Sequence, residues 1–272
     1  MRTSEEAAIR AIKCLLEGCS IRSTERLTGL NRNTIMRLLV LAGERCAVGM
    51  DTKMRNLSCK SIESDELWCF VMKKRGHVRQ DDPEEWGDQW IFVAEDAYTK
   101  LIPSFVVGKR TNENTQAFIS DLKSRLAHRT QLTTDGFHFY IDAVEEAFGT
   151  DIDFAQLVKL YGDYGQRDAA ARYSPGTILE VISKVRQGNP NPYRISTSYV
   201  ERQNLTVRMG MRRLTRLTNA FSKKLSHLKA AVALHFAYYN FCRVHSTLRV
   251  TPAMEAGLTA HVWTVAELLR AA

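Results

Sequence analysis

Between residues 5 and 43 the apolar side chains recur three and four positions apart. Ala8, Ile12, Leu15 and Leu16 share one face of a first segment, which Gly18 stops. Two shorter amphipathic segments follow, 20–30 and 31–43, separated by a turn at Gly29-Leu30-Asn31, with Asn31 placed to cap the second. From residue 60 the spacing changes to that of strands. The runs 66–72, 89–96 and 101–108 are short and rich in β-branched and aromatic residues, the last two joined as a hairpin would be. A helix over 114–127 then carries Phe118, Ile119, Leu122 and Leu126 on one face, followed by a strand at 131–135, a helix at 138–149 and a strand at 153–161. Residues 162–198 gather Gly, Pro, Ser and Asn around one short amphipathic piece and read as a largely surface-exposed insertion. Beyond it the pattern is helical, down to a short last helix at 264–272.

Three strands, then a helix, a strand, a helix and a strand, is the order of a ribonuclease H-like fold: an α/β unit with a mixed sheet flanked by helices. The three N-terminal helices, with a tight Gly-containing turn before the last, resemble an all-helical helix-turn-helix. Its final helix would present Arg32, Asn33 and Arg37 to a major groove. The alternative is a small helical hairpin packed on the next domain. The expected division is a helical domain over 1–50, a linker over 51–62, a catalytic domain over 63–245 with its insertion at 162–198, and a helical tail over 246–272.

Composition adds little until charge is located. With 44% hydrophobic and 25% charged residues in 272, disorder and low-complexity assembly are excluded. The formal net charge is +8, but residues 202–254 hold ten Lys plus Arg and no Asp or Glu, leaving the remainder near −2. A positive field that concentrated favours a polyanion. The six cysteines form no C-x-x-C pair, which argues against a disulfide scaffold or a zinc ribbon. The first twenty residues are repeatedly charged and the longest apolar run is too short to cross a bilayer, so a cytoplasmic, nucleoid-associated protein with no membrane partner is expected.

The acids sharpen the picture. Asp65 is expected to open the first strand and Asp135 to close the fourth, so that both point into the crevice beyond the strand ends if those strands are neighbours. Two carboxylates on rigid strands, joined by a third from a helix, suit hard divalent cations and phosphodiester chemistry. On a helical wheel Val200, Val207, Met211 and Leu214 make a core stripe, with Glu201, Arg208 and Arg212 together beside it. That segment could supply one metal ligand and several guanidinium groups for phosphates. Otherwise, Glu201 is a surface ion pair worth about 0–1 kcal/mol. Glu145, Asp163, Asp168 and Glu180 are other candidates for the third ligand.

The blocks "DELWCFV", "QWIFVAEDAYTKLIPSFVVGKRT", "TTDGFHFY", "YVERQNLTVRM" and "FSKKLSH" stand in the order seen in the insertion-sequence-one family of DDE transposases, over roughly 60–245. The tail "YYNFCRVHSTLRVTPAMEAGL" resembles a segment ending many related transposases. This resemblance implies a catalytic and metal-binding triad of Asp65, Asp135 and Glu201 holding two Mg²⁺, for which Mn²⁺ can substitute. Arg202 and Asn204 fall in the family's ERxN pattern as site support or DNA contacts, with Arg208, Arg212, Arg213, Lys223 and Lys224 as further DNA contacts. His227 stands one register from where the family often has a histidine, as possible site support. The implied partner is double-stranded DNA, both element ends and target, with a homo-oligomer at synapsis. The implied activity is cleavage at terminal inverted repeats followed by strand transfer. The alternatives are a non-catalytic DNA-binding regulator and a nuclease without strand transfer. The chain departs from the family in lacking a zinc-binding cysteine cluster before its helical segment and in the 66-position interval between Asp135 and Glu201.

Overall fold

The computed structural model describes residues 3–162 and 176–270. Three helices lead, α1 (Glu5–Leu16), α2 (Ile21–Thr28) and α3 (Arg32–Lys53). Gly29, at φ 71°, ends α2 in the left-handed region, and the Asn31 side chain accepts the Asn33 N–H to start α3. The third helix runs ten residues past its expected end because its later turns have something to pack on. Ile35, Leu39, Ala42, Cys46 and Met50 are buried, and α3 lies along α7 (Leu225–Phe241), with Gly43 against the Ala230 backbone.

The sheet comprises β1 (Ser61–Val71), β2 (Gly87–Asp96), β3 (Phe105–Gly108), β4 (Gln131–Thr134), β5 (Asp153–Tyr161) and β6 (Ile178–Gln187), in the order β3-β2-β1-β4-β5-β6. The pairs β1–β4 and β4–β5 are parallel and the other three antiparallel. Helices α4 (Asn112–Arg125) and α5 (Phe139–Phe148) make the two crossovers. Helices α6 (Ser198–Gly210), α7, α8 (Pro252–Glu255) and α9 (Val265–Arg270) complete the chain. Successive strand residues alternate faces. Phe92 meets Phe118 of α4 on one face, while Asp65 meets Asn204 of α6 on the other.

Three expectations are corrected. Strand β1 begins at Ser61, so Asp65 sits in mid-strand rather than at its opening; the polar sequence Glu63-Ser64 hid a stretch buried between β2 and β4. Strand β3 starts only at Phe105, because Asn240 of α7 takes both backbone groups of Ile102 and Pro103 has no N–H for a ladder. The stretch 162–198 contains β6, which pairs with β5 as the sheet's edge. Its apolar residues fall on both faces, Ile178 and Ile182 on one and Leu179, Val181 and Val185 on the other, so the alternation by which a half-buried strand is recognised is missing. Among the described residues no helix is long and apolar enough to cross a membrane.

Candidate metal centre and the basic groove beside it

The parallel register decides where the acids meet. Ser64 pairs with Thr134, so the next residues on the two strands, Asp65 and Asp135, leave the ladder side by side. After Thr134 the chain turns sharply. Asp135 Oδ1 accepts the Phe137 N–H at 3.0 Å, and Gln156 Nε2 on β5 holds the carbonyls of Asp135 and Phe137 at 2.9 and 3.1 Å. Arg186 of β6 in turn donates to Gln156 Oε1 at 2.9 Å, so the edge strand braces this turn.

Asp65, Glu66 and Asp135 each offer a carboxylate oxygen within 4.8 Å of the others. Glu66 is the member that sequence reasoning missed. Its side chain is 2% exposed and its Oε2 takes Arg110 at 2.7 Å, while its Oε1 and the buried Tyr140 hydroxyl make no hydrogen bond of ordinary geometry, although each acts on the other's titration. The same guanidinium reaches Asp135 Oδ2 at 3.4 Å and lies 3.8 Å from the Phe137 ring centre. Burial pushes Asp65 up to about 6, reinforced by the charges of Asp135 and Glu201. Burial, then Asp135, pushes Glu66 up to about 8, although Arg110 pulls the other way. Asp135 is also raised, by burial first. Crowded carboxylates with raised affinity for protons, and an orphaned oxygen among them, are the donor set that a hard cation compensates.

Glu201 stands outside that tight group. Its Oε1 is ion-paired to Lys159 of β5 and accepts Thr197 Oγ1 at 2.5 Å, yet its charge is felt at both Asp65 and Asp135. What brings it there is a second unforeseen acid, Glu63. Its buried carboxylate accepts the Tyr199 and Val200 N–H groups at 2.7 and 3.2 Å and so caps α6 from β1. One turn further on, Asn204 Nδ2 donates to Asp65 Oδ2 at 2.8 Å. Val200, Val207, Met211 and Leu214 are all under 10% exposed, but α6 ends at Gly210, so Met211, Arg212 and Leu214 stand on the turn after it and not on one continuous helical face as the wheel expected. Beside them Glu201, Asn204, Arg208, Arg212 and Arg216 line one open groove of about 670 Å³.

The remaining expected residues are spread out. Arg202 is exposed. Arg208 is turned inward, donating to the Trp68 carbonyl at 3.0 Å. Arg213 donates to Ser222 Oγ at 3.1 Å, and Lys223 and Lys224 are exposed. Arg32, Asn33 and Arg37 are exposed on α3, the Arg32 N–H held by Glu25 at 2.9 Å, with no bond to the acids. His227 has no bond to the acids either; it lines a cavity with Arg213 and Lys223, and its pKa is lowered by burial and by those neighbouring cations Arg213 and Lys224. Glu145 and Glu180 are exposed on α5 and β6, and Asp163 and Asp168 fall outside the described residues. Lys159 and Glu66 gave no signal in the sequence beyond their neighbours in strands, and Glu63 was hidden in the polar run Glu63-Ser64-Asp65-Glu66.

No protein-family profile matches this chain, and no curated protein does. Among solved structures it is similar to a piggyBac transposase synaptic complex with hairpin DNA, at 11% identity and TM-score 0.40, over 99% of this chain and 70% of that one. It is also similar to a Mos1 transposase paired-end complex with left transposon end, at 11% identity and TM-score 0.24 over 57% of this chain and 59% of that one. A Mos1 strand transfer complex aligns at 13% identity and TM-score 0.25, over 57% of this chain and 58% of that one. The chain thus spans about three fifths of the Mos1 chains. Likenesses this distant leave the function to be argued from the side chains themselves.

Proposed function

We propose that this protein is a DNA transposase with a ribonuclease H-like catalytic unit, cutting element ends and joining them to target DNA. The observation that carries the reading is the convergence of Asp65 and Asp135 at the end of one parallel strand pair, beside a groove lined by arginines. Five strands in the order β3-β2-β1-β4-β5 with two helical crossovers agree with the ribonuclease H-like expectation. Asp65 and Asp135 would hold Mg²⁺ or Mn²⁺, two ions in the full site, with Glu201 as third ligand once it leaves Lys159. Bound ions there supply Lewis-acid polarisation of a phosphodiester and of the oxygen that attacks it.

The chain's own residues do the rest. Glu63 and Asn204 fix the height of α6 and with it the distance of Glu201 from the two aspartates. Arg212 and Arg216 neutralise and register the phosphate backbone along the groove, while Arg208 stiffens its floor through Trp68. Arg110 restrains Glu66, and by sharing Asp135 it offsets part of the like-charge repulsion when no cation is bound. Chemistry of this kind needs positioning and charge neutralisation, with no covalent protein intermediate.

The test is nicking and joining of a plasmid carrying the DNA that flanks the reading frame, with Mg²⁺, Mn²⁺ or EDTA. Asp135→Asn and Glu201→Gln should each cut the cleavage rate by about a hundredfold or more, with binding of the ends nearly unchanged. Glu66→Gln should retain cleavage. If Glu66→Gln is dead and Glu201→Gln active, Glu66 is the third ligand. Binding without cleavage under either metal would make the protein a regulator, and nicked products without joined ones a nuclease.

A further inference from the structure

A second polar site lies away from the acids. Between α1 and α2 on one side and the segment joining α6 to α7 on the other is a cavity of about 720 Å³, inside the range of about 300–1,000 Å³ usual for small-molecule sites. Its charged lining is of one sign: Arg22 and Arg32 from the N-terminal helices face Arg212, Arg213 and Lys223 from the joining segment. No Asp or Glu lines it, and none of these five cations has an ion-pair partner among the described residues. Deeper, the walls are apolar, with Leu16, Leu39 and Leu234 beside Phe221. His235, 4% exposed, also stands at this wall.

We propose that this cavity takes a single nucleotide, its phosphate on the Arg32, Arg213 and Lys223 cluster and its base against the apolar wall. A bare anion would leave the apolar depth unused, and an apolar ligand would leave five cations unneutralised. Two sources share this chemistry. One is an unpaired nucleotide at a DNA strand end, a source that rests on the transposase reading; the other is a free mononucleotide, which does not.

The experiment is isothermal titration of the full-length protein in EDTA with dAMP, deoxyadenosine and inorganic phosphate, so that the acidic cluster and its metal take no part. dAMP is expected to bind at least tenfold more tightly than either fragment. Arg32→Gln with Lys223→Gln, both at exposed positions, should weaken dAMP at least tenfold with an unchanged melting temperature. Cavity-filling Ala220→Trp should do the same while leaving the cations in place. Competition then separates the sources: a duplex with one unpaired 5′-nucleotide displaces dAMP if the ligand belongs to a strand, and a free mononucleotide is the ligand if it does not. No dAMP binding, phosphate binding as tight as dAMP, or indifference to both variants would overturn the site. Loss of nicking in Asp135→Asn leaves this binding intact, so either reading can fail without the other.

Discussion

Glu63 and Glu95 stand directly opposite each other in the β1–β2 ladder, both buried, with Lys100 as their nearby cation. Glu63 is compensated by two N–H groups of α6, whereas Glu95 Oε2 has no partner and burial pushes Glu95 up to about 8. A carboxyl whose folded pKa exceeds its unfolded value stabilises the fold fully only below the unfolded pKa. That stability is lost as pH rises from there towards the folded value. The wild-type melting temperature should therefore fall between pH 5 and pH 8, and Glu95→Gln should flatten the fall. Each kcal/mol recovered corresponds to about 2–4 °C for a chain of this size. Calorimetric melts of both proteins across that range check it, and parallel curves would exclude Glu95 as the cause. The counterpart Glu63→Gln should act differently, lowering cleavage more than stability, because an uncharged amide still fills the space but holds the first turn of α6 less firmly. A cleavage rate equal to wild type would remove Glu63 from the positioning of Glu201. At this scale the sequence displayed Asp65, Asp135 and Asn204 and concealed Glu66, Glu63 and Lys159. A carboxylate in a strand carries the same letter whether it faces solvent or a buried neighbour.

Among elements, the closest approach is α3 against α7 at Gly43. A Cβ there would drive into the carbonyl of Ala230. Gly43→Ala should therefore destabilise by about 1–3 kcal/mol, the cost of overpacking, although alanine is the better helix former by about 1 kcal/mol. Chemical denaturation measures the sign directly, and a stabilised variant would mean that the two helices yield. Helical period located α1, α2, α4 and α5 to within a few residues because each presents one apolar face to one neighbour. It lost α3 at Gly43, which reads as a helix stop, although burial continues along the same face through Cys46 and Met50. Strand period located β2 and β5 and blurred β1 and β3, whose ends are set by β4 and by Asn240 rather than by their own alternation. Strand β6 was the largest omission, since it is an exposed edge strand paired on one side with β5 and buries almost nothing.

Across the whole molecule, α1 and α3 share one core with α7 and α9, through Ile12, Leu39, Met50, Phe236 and Leu268. Deleting residues 1–53 should therefore expose the apolar side of α7 and leave a chain that aggregates or unfolds without a cooperative transition. Size-exclusion chromatography and a thermal melt would show this, and a monomeric, cooperatively melting product would establish residues 54–272 as an independent domain. The charge on residues 202–254 predicts DNA binding that weakens steeply with salt, log K falling by about 0.9 per phosphate contacted for each unit of log salt. A slope near zero would place the basic segment away from the DNA. The sequence by itself determined most elements, the concentration of positive charge and the two aspartates, because local period records which side of each element is buried. It left undecided what each buried side meets. The convergence of Asp65 with Asp135 needed the parallel register of β1 and β4, the placement of Glu201 needed Glu63 to seat α6, and the basic cavity needed α1 and α2 to close over the α6–α7 segment. Those are encounters between residues some seventy to two hundred positions apart in the chain, and only the packed tertiary structure fixes them.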